Sequence, residues 1–184
     1  MSNELKIEGD ENYIKVSNIT PQNKHLLKIP ETTWYLYIEG IYLEHFSIPT
    51  GVKCVKLKRL GLKTLYIPDG VISVDCSRNF LQTIEIPQSL ITLKANKNLL
   101  NGVTFRSQTD NQLEFLDIRS NKLTRLAFDV PEPLVEFNES MNKINFIAPK
   151  IRNYLSMQHL PAPSSPDSSD DEYSPLNFHK PFIF

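Results

Sequence analysis

The chain has 184 residues, 40% of them hydrophobic, and a formal net charge of −1, which fits one domain, or one domain with a tail, around a packed core. Its 20 basic and 21 acidic residues nearly cancel, so any attraction for a charged partner has to come from a local patch rather than from the whole molecule. Only four Ala stand against 13 Pro, which argues against a helical bundle or a large Rossmann fold, and two Cys can build neither a disulfide scaffold nor a four-ligand zinc site.

The opening residues, MSNELKIEGDEN, hold no apolar run of signal-peptide length. Nowhere does the chain carry the roughly 18 consecutive apolar residues that a membrane span requires. The expectation is an intracellular protein with no membrane span. Leu5 and Ile7 alternate, Gly9-Asp10-Glu11-Asn12 reads as a turn, and Ile14 and Val16 alternate again. Residues 1–29 therefore predict a hairpin cap, with a degenerate repeat carried by Ile14, Ile19, Leu27 and Ile29.

The prolines that follow fall on a period. Ile29-Pro30, Ile48-Pro49, Ile67-Pro68 and Ile86-Pro87 stand 19 residues apart, and a short fixed period signals stacked repeats. Aligned on these pairs, Val52, Val55, Leu57, Leu62, Leu65 and Ile67 form one apolar set. Val71, Val74, Cys76, Leu81, Ile84 and Ile86 form the next, and Leu90, Leu93, Ala95, Leu100, Val103 and Phe105 a third. Four residues are inserted around SQTDN before Leu113, Leu116, Ile118, Leu123, Leu126 and Phe128 resume the set. Leu134, Phe137, Ile144 and Ile147 continue it with a fault at Glu139, and Leu36, Ile38, Leu43, Phe46 and Ile48 make a looser early copy.

One frame position is polar inside this apolar pattern: Asn79, Asn98, Asn121 and Asn142. An amide has two donors and an acceptor, so it can satisfy the backbone of a tight corner, and stacked corners would make a ladder. Ile41 and Leu60 hold the position in earlier copies, so the ladder should be incomplete there. A unit this short cannot bury its own apolar side, whereas stacked units share one core. The x-L-x-L centres predict short parallel strands, and the Ile-Pro pairs disfavour a helix on the opposite side. Residues 30–150 are thus expected to form a mostly β solenoid of about six turns with a parallel concave sheet.

Past the frame, Ile151, Tyr154, Leu155, Met157 and Leu160 could cover the last turn as a strand or a helical turn, so residues 151–160 are assigned to a C-terminal cap. Residues 161–184 are an extended tail. It is acidic and rich in Pro and Ser at first, and ends on Leu176, Phe178, Phe182, Ile183 and Phe184, which read as an aromatic docking hook.

The unit L-x-x-L-x-L-x-x-N-x-L-x-x-L-x-I-P resembles the leucine-rich repeat over about residues 30–150. Its short period is similar to the repeats of bacterial effector proteins, and the strings IPDGVISV and IPQSLITL resemble half of the FNIP repeats of amoebae and large DNA viruses. The resemblance implies a solenoid that presents a surface to other proteins.

Chemistry is sparse. His25, His45, His159 and His179 show no metal spacing, and no Ser-His-Asp arrangement or Gly-rich phosphate loop occurs. Asp75, Asp117 and Glu136 fall on separate turns. Cys76 is read as inward and Cys54 as outward, which argues against a disulfide between them. The expectation is a protein without catalysis, cofactor or metal. The outward strand positions are more informative. They place Lys56, Lys58, Arg59, Arg78, Lys94, Lys97 and Arg119 in a basic band flanked by Tyr35, Tyr37 and Phe115. The band reads either as a solvated face that discourages aggregation or as a docking surface for an acidic polypeptide segment or a neighbouring subunit. Nucleic acid suits it less, because base-stacking aromatics do not recur along it. Residues 167–172 of the tail carry the complementary charge, and Phe178, Phe182, Ile183 and Phe184 would be the tail's apolar contacts. The functional expectation is a protein–protein interaction scaffold, a minor structural component of a larger assembly such as a large DNA virus particle. The alternative is a stand-alone adaptor or effector that captures a host regulatory protein on its concave face.

Overall fold

Alternating apolar residues extend as strands wherever the frame expects them. In a computed structural model, which describes residues 5–40 and 43–158, β1 (Lys6–Gly9) and β2 (Tyr13–Ile19) form the N-terminal hairpin. The repeats then supply β3 (Tyr35–Gly40), β4 (Cys54–Lys58), β5 (Ser73–Asp75), β6 (Thr83–Ile86), β7 (Thr92–Lys94), β8 (Gly102–Phe105), β9 (Phe115–Asp117), β10 (Arg125–Leu126), β11 (Glu136–Asn138) and β12 (Phe146–Ile147). A single helix, α1 (Pro149–Gln158), follows. The tail residues 161–184, with Phe178, Phe182, Ile183 and Phe184, lie outside the described residues, as does Leu160 of the expected cap.

The strands stack as a β-solenoid of about seven turns. The long sheet runs β1-β2-β3-β4-β5-β7-β9-β11, and every pair after the hairpin is parallel. One turn more than the apolar frame suggests comes from β2, which serves twice. It is the second strand of the hairpin, and it also pairs in parallel with β3, Tyr13 opposite Tyr35 and Val16 opposite Ile38. Its partners in β3 stand 22 residues on, as Tyr13 and Tyr35 do, and the register shifts between Val16 and Ile19, which is why the sequence shows this turn only as a degenerate repeat.

Register places the apolar rows one above another. Leu36, Val55, Val74, Leu93, Leu116 and Phe137 lie opposite each other in successive strands, and all are buried. Ile38 and Leu57 lead a second row, and Leu62, Leu81, Leu100 and Leu123 are buried past the corner. Each such side chain, removed from water, stabilises the fold by roughly 1.5–3 kcal/mol before ordering costs. On the side opposite the long sheet the chain stays extended, with β6 pairing β8 and β10 pairing β12 in parallel.

At the far end α1 opens on Pro149, whose missing N–H and fixed φ suit a first helical position. Ile151 is fully buried, Tyr154 and Leu155 are half-buried, and the Tyr154 hydroxyl donates to the Leu134 carbonyl at 3.1 Å. Phe105, Phe128, Phe137 and Tyr154 make a run of ring contacts, with centroids 5.3, 5.9 and 6.5 Å apart in turn, that joins this cap to the core. Met157 points away and is exposed.

Both cysteines are free thiols, Cys76 buried and Cys54 half-buried. Burial pushes Cys54 up to about 11 and Cys76 higher still, so neither is a reactive thiolate near neutral pH. Alkylation of the native protein at pH 8 is expected to be slow at Cys54 and to reach Cys76 only when the chain unfolds. Rapid labelling of Cys76 under native conditions, followed by mass spectrometry, would contradict this burial.

Candidate docking face

The outer face of the long sheet carries the side chains between the inward leucines. Tyr35, Cys54, Ser73, Thr92, Phe115 and Glu136 share one row of the register. The next row holds Lys15, Tyr37, Lys56, Asp75, Lys94, Asp117 and Asn138. Here the aromatic and basic residues anticipated from sequence meet. The Lys56 ammonium lies 4.8 Å from the centroid of the Tyr37 ring, with Lys15 at 5.8 Å, and Lys94 lies 5.5 Å from that of Phe115. Such contacts are worth about 0.5–1 kcal/mol at exposed sites and help to hold the cations on the face.

The band is not uniformly positive, because two carboxylates are built into it. Asp75 accepts from the Ser77 amide at 3.2 Å and from its hydroxyl at 2.6 Å, and its other oxygen pairs with Lys58 at 3.0 Å. Asp117 accepts from the Arg119 amide at 3.1 Å and the Asn96 amide group at 2.7 Å, and pairs with the Arg119 guanidinium at 3.4 Å. Asn138 repeats the pattern with Ser140. A short polar side chain at the strand end thus bonds the backbone two residues on, as these residue types do at turns. Asp75 and Asp117 are 9% and 5% exposed, so Lys58 and Arg119 are largely spoken for. The sequence signal for this was the spacing Asp-x-Ser and Asp-x-Arg at matching frame positions.

Arg59, Arg78 and Lys97 lie just past the strands, at the corner of three successive turns. All three are exposed and adopt left-handed backbone, with φ of 57°, 60° and 55°. Ser120 and Met141 continue the column at 55° and 56°, and Asn18 holds the same conformation at 58° near the other end. The left-handed conformation costs a non-Gly residue roughly 1–2 kcal/mol. The stacked backbone holds it: Arg78 N–H donates to Asn96 O at 2.9 Å, Lys97 N–H to Arg119 O at 3.1 Å and Ser120 N–H to Ser140 O at 2.9 Å. Among the described residues, Arg59, Arg78 and Lys97 have no ion-pair partner. Stacked turns are about 4.8 Å apart, and like charges at that separation repel by roughly 1 kcal/mol even in water. Three fixed corners therefore present three cations, one per turn, with no ion pair to another described residue.

Arg106, on the opposite side, shows what a satisfied cation looks like in this fold. Its guanidinium donates to Asp69 at 2.6 Å, Glu85 at 3.3 Å and the Ile67 carbonyl at 3.1 Å, and lies 4.9 Å from the centroid of the Tyr66 ring. It clamps earlier turns together and has little left to offer a partner. Arg106→Ala is expected to lower stability by about 0.5–1.5 kcal/mol in thermal or chemical unfolding, since it loses one part-buried hydrogen bond, to Ile67 O, and exposed ion pairs that add little. A change within experimental error would show that the clamp is ornamental.

Among the described residues, no three His, Cys, Asp or Glu side chains gather so that they could hold a metal ion, and no helix is long and apolar enough to cross a membrane. Searched against models of known protein families and against curated proteins, the chain matches none.

Proposed function

We propose that this protein is a non-catalytic interaction scaffold of the leucine-rich-repeat type, which captures an acidic polypeptide segment along the corner column Arg59, Arg78 and Lys97. The observation that carries this reading is the column itself: three exposed cations, one per turn, on left-handed backbone that the ladder holds rigid and with no ion pair among the described residues. Tyr35, Tyr37, Lys56, Lys94 and Phe115 extend the surface across the sheet, while Lys58 and Arg119 chiefly neutralise Asp75 and Asp117. A row of charges on fixed backbone suits a partner whose carboxylates repeat along an extended chain, because the corners that carry them are already in place before binding.

The test is capture of a fluorescent poly-glutamate peptide, followed by anisotropy. The triple reversal Arg59→Glu, Arg78→Glu and Lys97→Glu is expected to weaken binding by about 100-fold or more, on the order of 1 kcal/mol per contact. The thermal midpoint should stay nearly unchanged, and binding of the parent protein should fall as salt rises. Binding that survives both the reversal and high salt would remove the column from the site. The repeat strings similar to those of large DNA viruses support a place in a larger assembly such as a virus particle. Quantitative mass spectrometry of purified particles checks that placement, and absence from them would overturn it.

A further inference from the structure

The first two turns form an open cleft of about 460 Å³ lined by Leu27, Ile29, Leu43 and Phe46, with Lys24, His25 and His45 also on its wall. That volume is within the roughly 300–1,000 Å³ of ordinary ligand pockets. The cleft begins at Ile19, the residue after the left-handed Asn18. Its other wall carries Ser47, which bridges Tyr66 away from the long sheet, so the cleft opens around the corner from the N-terminal end of the column that carries Arg59, Arg78 and Lys97. Traced from the last turn toward the first, the column presents uncharged Met141 and Ser120, then Lys97, Arg78 and Arg59, and the largely apolar cleft lies around the corner past its end.

The C-terminal segment of the chain shows the same order of chemistry. Residues 159–166 carry no carboxylate, residues 167–172 contain Asp167, Asp170, Asp171 and Glu172, and residues 176–184 contain Leu176, Phe178, Phe182, Ile183 and Phe184. We infer that this segment folds back in cis as a strap, its acidic stretch over the three corner cations and its aromatic end in the cleft. The inference rests on the reading of the column as a surface for acidic polypeptide.

Lengths agree with an intramolecular strap. From the last turn to the first two is five or six strand spacings, roughly 24–29 Å. The 17 residues 159–175 can reach roughly 56–61 Å when fully extended. With four prolines and four carboxylates among them, they favour extended backbone, about 53 Å if fully polyproline-like. A tether that can span the separation raises the tail's effective concentration at the column above that of a second copy's tail in dilute solution. The strap would occupy the column until a stronger acidic partner displaces it.

Hydrogen exchange on the intact chain, read by mass spectrometry over residues 24–29 and 43–49, tests the contact. Phe182→Ala with Phe184→Ala is expected to speed exchange in both segments, with no dependence on protein concentration. These substitutions lie in the tail, so the solenoid itself is unaltered. Unchanged exchange would overturn the strap, and a concentration-dependent effect would assign the cleft to a second copy and overturn the cis arrangement. The second arm measures poly-glutamate affinity for the full chain with Asp167, Asp170, Asp171 and Glu172 all changed to Ala. It should rise about tenfold, as expected if the strap leaves roughly a tenth of molecules open. If affinity is unchanged in this variant but abolished by the triple reversal at the column, the strap is wrong and the proposed function stands. If the peptide binds neither the parent nor the variant, the reading of the column fails, and with it the acidic contact of the strap.

Discussion

Leu93→Ala is expected to lower the stability of this protein by about 2–5 kcal/mol, through lost burial and the cavity left behind. Leu93 is fully buried in the middle strand row, opposite Val74 on one side and Leu116 on the other, and both neighbours are fully buried as well. A solenoid turn cannot collapse toward a gap without shifting the turns stacked on it, so relaxation should be small and the cost near the upper end. Lys94→Ala, one residue on, removes a side chain on the outer face that only rests against the Phe115 ring and should change stability by roughly 0.5 kcal/mol or less. Chemical denaturation midpoints measured on the pair decide the register. Similar losses for the two would mean that the faces are wrongly assigned.

Asn98→Ala should cost about 1–3 kcal/mol, although it removes only a small polar group. The Asn98 side chain is 5% exposed and ties two turns together. Its oxygen accepts from Leu81 N–H at 3.1 Å, and its nitrogen donates to Cys76 O at 3.1 Å and to Ala95 O at 3.0 Å. Alanine would leave the Leu81 N–H without an acceptor, a buried orphan that costs about 1–3 kcal/mol, whereas Cys76 O and Ala95 O would each keep a second amide donor, from Asn79 and Asn121. Asn98→Asp should do no better, because a carboxylate replaces the donor that faces two carbonyls. Asn79, Asn121 and Asn142 repeat the geometry, each donating to the carbonyl three residues before it. A loss below about 0.5 kcal/mol, the size of an ordinary surface change, would show that water or backbone adjustment replaces the amide.

Where the ladder stops, the backbone itself supplies the missing acceptor. Leu60 holds the ladder position in its turn, and its own carbonyl accepts from Leu43 N–H at 2.6 Å. In later turns the equivalent amides, such as that of Leu62, bond an Asn side-chain oxygen instead. Gly61 follows Leu60 with a φ of 68°, a left-handed conformation that glycine adopts without the penalty of a Cβ and that reorients the chain at this corner. The apolar pattern revealed the missing Asn, but only three-dimensional pairing shows how its work is done.

Much of the candidate site was legible because strand side chains alternate. Tyr37, Lys56 and Lys94 had to share the outer face once Leu36, Val55 and Leu93 were placed inward. Their pairings were less legible. Asp75 and Asp117 sit on the same face as Lys58 and Arg119 and neutralise them, and which cation each carboxylate reaches depends on distances across neighbouring strands. Frame counting also joined Arg59, Arg78 and Lys97 to the strand residues. The structure separates them onto the corner, because the left-handed residue turns the chain away from the sheet before the ladder Asn points inward.

By itself, the sequence determined the stacked, mostly β architecture, since a 19-residue apolar period has no other way to bury its leucines. It also determined the Asn ladder, because an amide repeated inside an apolar frame needs backbone to satisfy it. Tertiary structure alone decided that one strand, β2, serves both the expected hairpin and the degenerate repeat, that residues from Pro149 onward form a helix rather than a strand, and that Arg59, Arg78 and Lys97 make no ion pair among the described residues. The physical reason is range. Period and alternation are local properties of a chain, whereas strand sharing, capping and charge neutralisation depend on which distant groups the stacking brings within a few ångströms.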